Sequence, residues 1–357
     1  MQLAGYSLYE TRRPSLNIRS GDAAQGAGVL EFVQEPLPVP SLVRPDHERD
    51  VLYVRLTAPR APGSRVVAVI PDVAAAIADV LAAAVARGEP VHRAVIVGVD
   101  VVLAAGDDSP GRADAVAAFV DVVRAFTDAH VPFLWRTRAG IEAGGLPPTV
   151  AHALIAAARL CTVELGIATI DDDDARALEG DAATSSQARL RLAASLVARG
   201  VSVRALVDPL VPMLTDQQAP LDDLVKALAA AGVKKLGARY ITLTRERAKV
   251  IAARLAGMQK ALLQGVFADE PWRAVDQEHS GPRELHKRIP PALRKRGHER
   301  LIEVGAAHGV IVEILDPVDD KELAAHDPAP APRSLRVRPQ LDLFSSRAPK
   351  AAPARKR

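Results

Sequence analysis

Seven polar residues fall just after short apolar runs, where a parallel α/β protein gathers its chemistry: Asp100, Thr137, Arg138, Asp171, Asp208, Thr244 and Arg245. Acid, hydroxyl and base at one rim could bind a polar ligand. Asp100, Asp208 and Arg245 are the candidates for catalysis without a cofactor, and Asp100 with Thr137 for holding a small molecule. The competing role for such residues is to cap the helices that follow. Asp171 to Asp174, directly before ARALEG, suit capping, because carboxylates there offset the helix dipole. Four consecutive carboxylates point in different directions, whereas calcium and magnesium sites space their ligands, so no metal is expected there. The nine histidines are scattered, with no HExxH or HxH pair. The chain also lacks a GxxxxGK[ST] phosphate loop, a GxGxxG turn after a strand and a GxSxG elbow. GDAAQGAG (21–28) has glycines, yet no clear strand leads into it.

A single cysteine, Cys161, excludes an internal disulfide, a CxxC redox pair and any three-thiolate site built within one chain. At 357 residues, 48% hydrophobic and 25% charged, the composition is that of a globular protein with a sizeable core. The N-terminal residues show no basic start followed by an apolar run, and no stretch reaches the roughly 18 apolar residues of a membrane helix. A cytoplasmic protein without membrane contact is expected.

The elements that must position these residues alternate regularly. Apolar runs at 66–70, 94–99, 131–136, 161–167, 201–207 and 233–243 are followed by helical stretches at 72–87, 112–129, 147–159, 172–199, 220–231 and 246–264. Runs of this kind, each trailed by a helix, imply a parallel sheet. Six units predict an α/β fold, a partial (β/α)6 TIM-like barrel, with a doubly wound open sheet as the alternative. Prolines break up residues 1–60, although VLYVRL (51–56) could be a strand. The barrel is expected over 61–265 and a small basic α/β appendage over 266–316, with a helix near 292–307 and a strand at 310–315. Residues 317–357, rich in Pro, Ala and charge, are expected as a disordered tail.

The net charge of +3 is unevenly distributed. Residues 281–300 carry +5, and the last thirteen residues another +5, which leaves the remainder at −7. Arg283, Lys287, Arg288, Arg294, Lys295 and Arg296 are therefore candidates for contacting nucleic-acid phosphates. A solvated basic face would look the same. At 3% aromatic residues, base stacking on single strands is not supported.

Two blocks, 163–204 and 205–243, supply Thr169 and Asp171, Glu179, Arg189 and Leu190, Gly200 and Val203, then Pro209, Pro212 and Asp216. In this order they resemble the later half of the radical SAM barrel in the subgroup of spore photoproduct lyase and DNA repair photolyase-like proteins. Upstream, PSLNIRSGDAAQGAG (14–28), Asp100 and Thr137 fall in register with that subgroup's cluster loop, T-D-P motif and T-K pair. The resemblance implies a radical SAM-type barrel, and by descent a [4Fe–4S] cluster with S-adenosylmethionine. Three thiolates at C-x3-C-x2-C spacing would hold that cluster, but the aligned positions are Asp22, Gly26 and Val29. A degenerate relative that has lost both cofactors is expected. The alternatives are an active member whose cluster or metal is not held by its own cysteines, and a cofactor-free barrel enzyme.

Within the tail, Gln340, Leu341, Asp342, Leu343 and Phe344 resemble the QL[SD]LF pentapeptide by which bacterial polymerases and repair proteins dock on the sliding clamp. Gln340 would hydrogen-bond at a pocket rim while Leu343 and Phe344 enter an apolar cleft. The partner implied is the DNA polymerase sliding clamp, with DNA as a second partner through the basic segments. Taken together, these features predict a non-catalytic accessory protein of bacterial DNA replication or repair.

Overall fold

The computed structural model describes two short strands at 31–34 and 43–45, then residues 51–315 except 58–65, 70–71, 89, 105–108, 142–144, 181–183, 256 and 275–284. In chain order the elements are β1 (Glu31–Gln34), β2 (Val43–Pro45), β3 (Val51–Arg55), β4 (Val66–Val69), α1 (Val73–Ala86), β5 (Arg93–Val97), α2 (Asp100–Ala104) and α3 (Arg112–Asp128). They continue with β6 (Phe133–Thr137), α4 (Pro148–Ala156), β7 (Cys161–Gly166), α5 (Asp172–Glu179), α6 (Ser186–Val197), β8 (Ser202–Leu210), α7 (Gln218–Ala230) and β9 (Lys235–Tyr240). The last elements are β10 (Leu243–Thr244), α8 (Arg245–Arg254), α9 (Gly257–Phe267), β11 (Arg273–Ala274), β12 (Leu285–Lys287), α10 (Pro291–Ala307) and β13 (Ile311–Ile314).

The main sheet runs β13-β9-β8-β7-β6-β5-β3-β2, parallel throughout except for the antiparallel edge strand β2. From β3 to β13 its order in space follows its order in sequence. Right-handed crossovers between strands laid down in one direction put every connecting helix on the same face. The helices pack beside one another accordingly, α1 on α3, α3 on α4 and α7 on α10. This is the singly wound arrangement of a barrel wall, and the expected α/β fold is observed as a mostly parallel sheet rather than a doubly wound one.

Some expected elements shift. The run at 66–70 forms β4, which pairs with β1 outside the main sheet. Its expected place as first barrel strand belongs to β3, whose partner is β5. The helix expected over 172–199 is two helices, because Gly180, at φ 105°, ends α5 and the Ser185 hydroxyl caps α6. That over 246–264 is likewise divided into α8 and α9. Residues 291–314, expected within a basic appendage, supply α10 and a seventh parallel strand, β13, beside β9.

The core lies between sheet and helices. On α3, Ala115, Val116, Phe119, Val120, Val122, Val123 and Phe126 form the buried stripe. Phe119 meets Trp135 at 5.2 Å between ring centroids, and Phe126 meets Phe133 at 5.8 Å. Odd-numbered residues of β6 therefore face the helices, and Arg136 faces the other way. α10 closes on β9 at Gly297, where a Cβ would lie 1.5 Å from the Tyr240 hydroxyl. That hydroxyl donates to Asp216 Oδ2 at 2.9 Å. Gly297→Ala should break this contact and destabilise the fold by about 1–3 kcal/mol, the usual cost of overpacking, seen as a lower urea midpoint at unchanged slope.

Candidate functional site

The helix-free face of the sheet is lined with charge. Arg136, Glu164 and Arg204 are register neighbours on β6, β7 and β8. Arg136 Nε is 2.5 Å from Glu164 Oε1, Arg204 Nε is 3.8 Å from Glu164 Oε2, and Arg204 Nη1 is 3.3 Å from Glu313 Oε2. Nearer the carboxyl ends of the strands, Arg138 lies across Gly166, where a Cβ would come within 2.8 Å of its Cγ. Arg138 Nη2 donates to the Asp208 carbonyl, and Arg239 Nη1 is 3.8 Å from Asp208 Oδ2.

Glu179, the last residue of α5, ties the rim together. It accepts two hydrogen bonds from Arg189 of α6, and its Oε1 is 3.3 Å from Arg138 Nη1. Arg189 Nη1 also donates to the Gly166 carbonyl at 3.0 Å. Arg189 and Glu179 are almost fully buried, so their bidentate geometry must offset the cost of removing both charges from water.

Asp100 and Thr137 meet, as the strand-end census suggests. The Thr137 hydroxyl donates to Asp100 Oδ1 at 2.5 Å, and the Arg138 amide donates to Oδ2 at 3.0 Å. Burial pushes the Asp100 carboxyl above its usual pKa, against the opposing pull of these bonds and of Arg138. Burial also lowers the Arg138 and Arg247 pKa values from their ordinary value. Asp171 caps α5, its Oδ1 accepting from the Asp173 and Asp174 amides at 2.9 Å each.

Arg245 lies against an aromatic ring. Its guanidinium lies 5.5 Å from the Trp272 ring centroid, and the Lys287 ammonium lies 5.4 Å from the same ring. Lys287 is itself buried and donates to the Phe267 carbonyl at 2.7 Å. Arg294 is buried as well, whereas Lys295 and Arg296 are exposed on α10 and Arg288 is half-buried. Arg283 and the pentapeptide Gln340–Phe344 lie outside the described residues. Arg136, Glu164, Arg204, Arg239 and Arg247 are absent from the census of strand ends. For Arg136, Glu164, Arg204 and Arg239 the signal was charge inside apolar strands, in FLWRTR, VELG, VRALVD and KLGARY, whereas Arg247, on helix α8, carried none.

No protein-family model matches the chain, and no curated protein does. Solved structures do. A cysteine-to-serine mutant of spore photoproduct lyase superposes with a TM-score of 0.55 at 12% identity, covering 80% of this chain and 82% of that one. A cysteine-to-alanine mutant with dinucleoside spore photoproduct gives 0.50 at 13% identity, covering 70% and 69%. A double mutant with bound AdoMet and the same photoproduct also gives 0.50 at 13%, covering 70% and 68%. At such identities the likeness concerns the fold.

The residues present do not fit a three-thiolate cluster. Cys161, the one cysteine, is the first residue of β7, at the opposite end of the strand from the rim. It is buried, and burial pushes its thiol up to about 12. The positions aligned with cluster ligands, Asp22, Gly26 and Val29, lie outside the described residues. Among the described residues no group of three or more His, Cys, Asp or Glu could hold a metal ion, and no helix is long and apolar enough to cross a membrane.

Two outcomes follow. Glu179→Ala strands two buried guanidiniums and should cost about 3–5 kcal/mol of stability in urea unfolding. In the native protein, Cys161 should resist an aromatic disulfide reagent from about pH 7 to about pH 9, and react once denaturant is added.

Proposed function

We propose that this chain is a radical SAM-like barrel that has lost its cluster and serves as a non-catalytic accessory of bacterial DNA replication or repair, docked on the sliding clamp through its tail. The barrel is kept as a scaffold and the iron–sulfur chemistry is gone. The observation that carries the first half is the cysteine inventory: one thiol, buried at the wrong end of β7, in a fold like that of spore photoproduct lyase. The second half rests on Gln340-Leu341-Asp342-Leu343-Phe344, in which all five positions suit a clamp-binding pentapeptide. The exposed basic residues Lys295 and Arg296 would add a sequence-independent attraction to nearby duplex.

The deciding experiment is binding of the full chain to the bacterial sliding clamp at two salt concentrations. The wild type is set beside a Leu343→Ala, Phe344→Ala double mutant. Micromolar or tighter binding that the double mutant abolishes supports the proposal; equal behaviour of the two proteins refutes clamp docking. A cluster spectrum after anaerobic reconstitution with iron and sulfide would favour the rival reading, an active enzyme with its cluster held another way.

A further inference from the structure

The rim holds more positive charge than its own carboxylates neutralise. Five guanidiniums gather there, from Arg138, Arg189, Arg239, Arg247 and Arg254, against Asp100, Glu179 and Asp208. Arg254 belongs to the group because its Nη2 would lie 3.1 Å from a Cβ at Gly180, the residue after Glu179. The excess is two charges.

The excess sits at one spot. Arg189 spends both Nη groups on Glu179 and the Gly166 carbonyl, which leaves its buried Nε without a partner. Arg138 and Arg239 both converge on Asp208, one at its carbonyl and one at its carboxylate. Arg247, from α8, lies close enough for Asp208, Arg138 and Arg239 all to act on its charge. Its Nη1 reaches the Thr242 carbonyl by a long hydrogen bond of 3.4 Å.

Donors are left over at that spot. Nε of Arg138, Nε of Arg239, and Nε and Nη2 of Arg247 are screened from solvent and have no hydrogen-bond partner, while Arg138 Nη1 is paired with Glu179 Oε1 at 3.3 Å. Buried N–H groups of charged side chains are seldom left empty, because each forfeits its hydration without return. Three like charges gathered around the single carboxylate of Asp208 repel as well. Both penalties vanish if an oxyanion accepts from the three forks at once.

We infer that the rim binds a terminal phosphate, a phosphate-monoester dianion held by Arg138, Arg239 and Arg247 beside Asp208. A dianion matches the excess of two charges, whereas an internal phosphodiester carries one. The inference stands apart from the tail and from clamp docking. Its ligand is a free phosphate, a nucleotide, or the phosphorylated end of a DNA strand, all sharing the same group.

The test is a titration of the full-length protein with inorganic phosphate against chloride at matched ionic strength, followed by calorimetry or thermal shift. Arg247→Gln and Arg239→Gln should each weaken binding about tenfold or more, as expected for loss of a charge-assisted contact. Gly166→Ala keeps every charge but pushes Arg138 aside, and should weaken binding too. Arg124→Gln, on the exposed face of α3, should leave it unchanged. Melting midpoints without phosphate verify that each variant is folded. A nucleoside 5′-monophosphate and one oligonucleotide with and without a 5′-phosphate then separate the sources. Preference for the phosphorylated oligonucleotide over the mononucleotide points to DNA ends, and equal affinity points to a small ligand. No saturable response to phosphate, or an equal response in the two arginine variants, overturns the inference.

Discussion

The wound order of the sheet governs everything else. Because β3 to β13 are laid side by side in sequence order, right-handed crossovers send every connecting helix to one face. The other face receives no helix layer from these crossovers, so a side chain pointing there must be solvated, paired across strands or bound to something. Arg136, Glu164 and Arg204 take the second course, with Glu164 serving two arginines. Toward the carboxyl ends of the strands, cross-strand pairing runs out before the arginines do.

That arrangement explains which parts of the molecule were legible in the sequence. Apolar runs followed by alanine-rich amphipathic stretches give the β/α alternation, and strand ends gave Asp100, Thr137 and Asp208. The run 66–70 misled because β-branched content marks a strand without naming its partner; β4 pairs with β1, and β3 fills the place in the sheet. Gly180 could have announced the break between α5 and α6. Arg245 illustrates the opposite error. It follows a strand end in sequence, yet it opens α8 and turns to Trp272, while Arg247, two residues on, approaches the rim. A helix turns about 100° per residue, so neighbours in sequence serve different sites.

The same geometry separates the two arginine networks in kind. Around Glu179 both carboxylate oxygens are used, by Arg138 and Arg189, and Arg189 finds a backbone carbonyl besides. Such a buried cluster fixes α5 and α6 against β7 more than it adds net stability, since desolvation opposes the attraction. Around Asp208 carboxylates are scarcer still: Arg239, Arg247 and Arg138, which is shared with Glu179, gather at one carboxylate, and several donors are unmatched. A network evolved only for rigidity would gain by exchanging one of those arginines for an apolar residue.

Chain geometry links the rim to the tail without assuming a conformation. Twenty-four residues separate Leu315, the last described residue, from Gln340. At a fully extended rise of roughly 3.5 Å per residue they span at most about 90 Å. A barrel held by Leu343 and Phe344 on a clamp would therefore stay within that radius of the duplex the clamp encircles. Confinement raises the effective concentration of DNA at the rim, so a site with modest intrinsic affinity for phosphate would suffice. On that proposal the division of labour has a physical basis: affinity for the assembly would reside in a short apolar motif, and discrimination among phosphates in a rim whose charge excess favours a dianion.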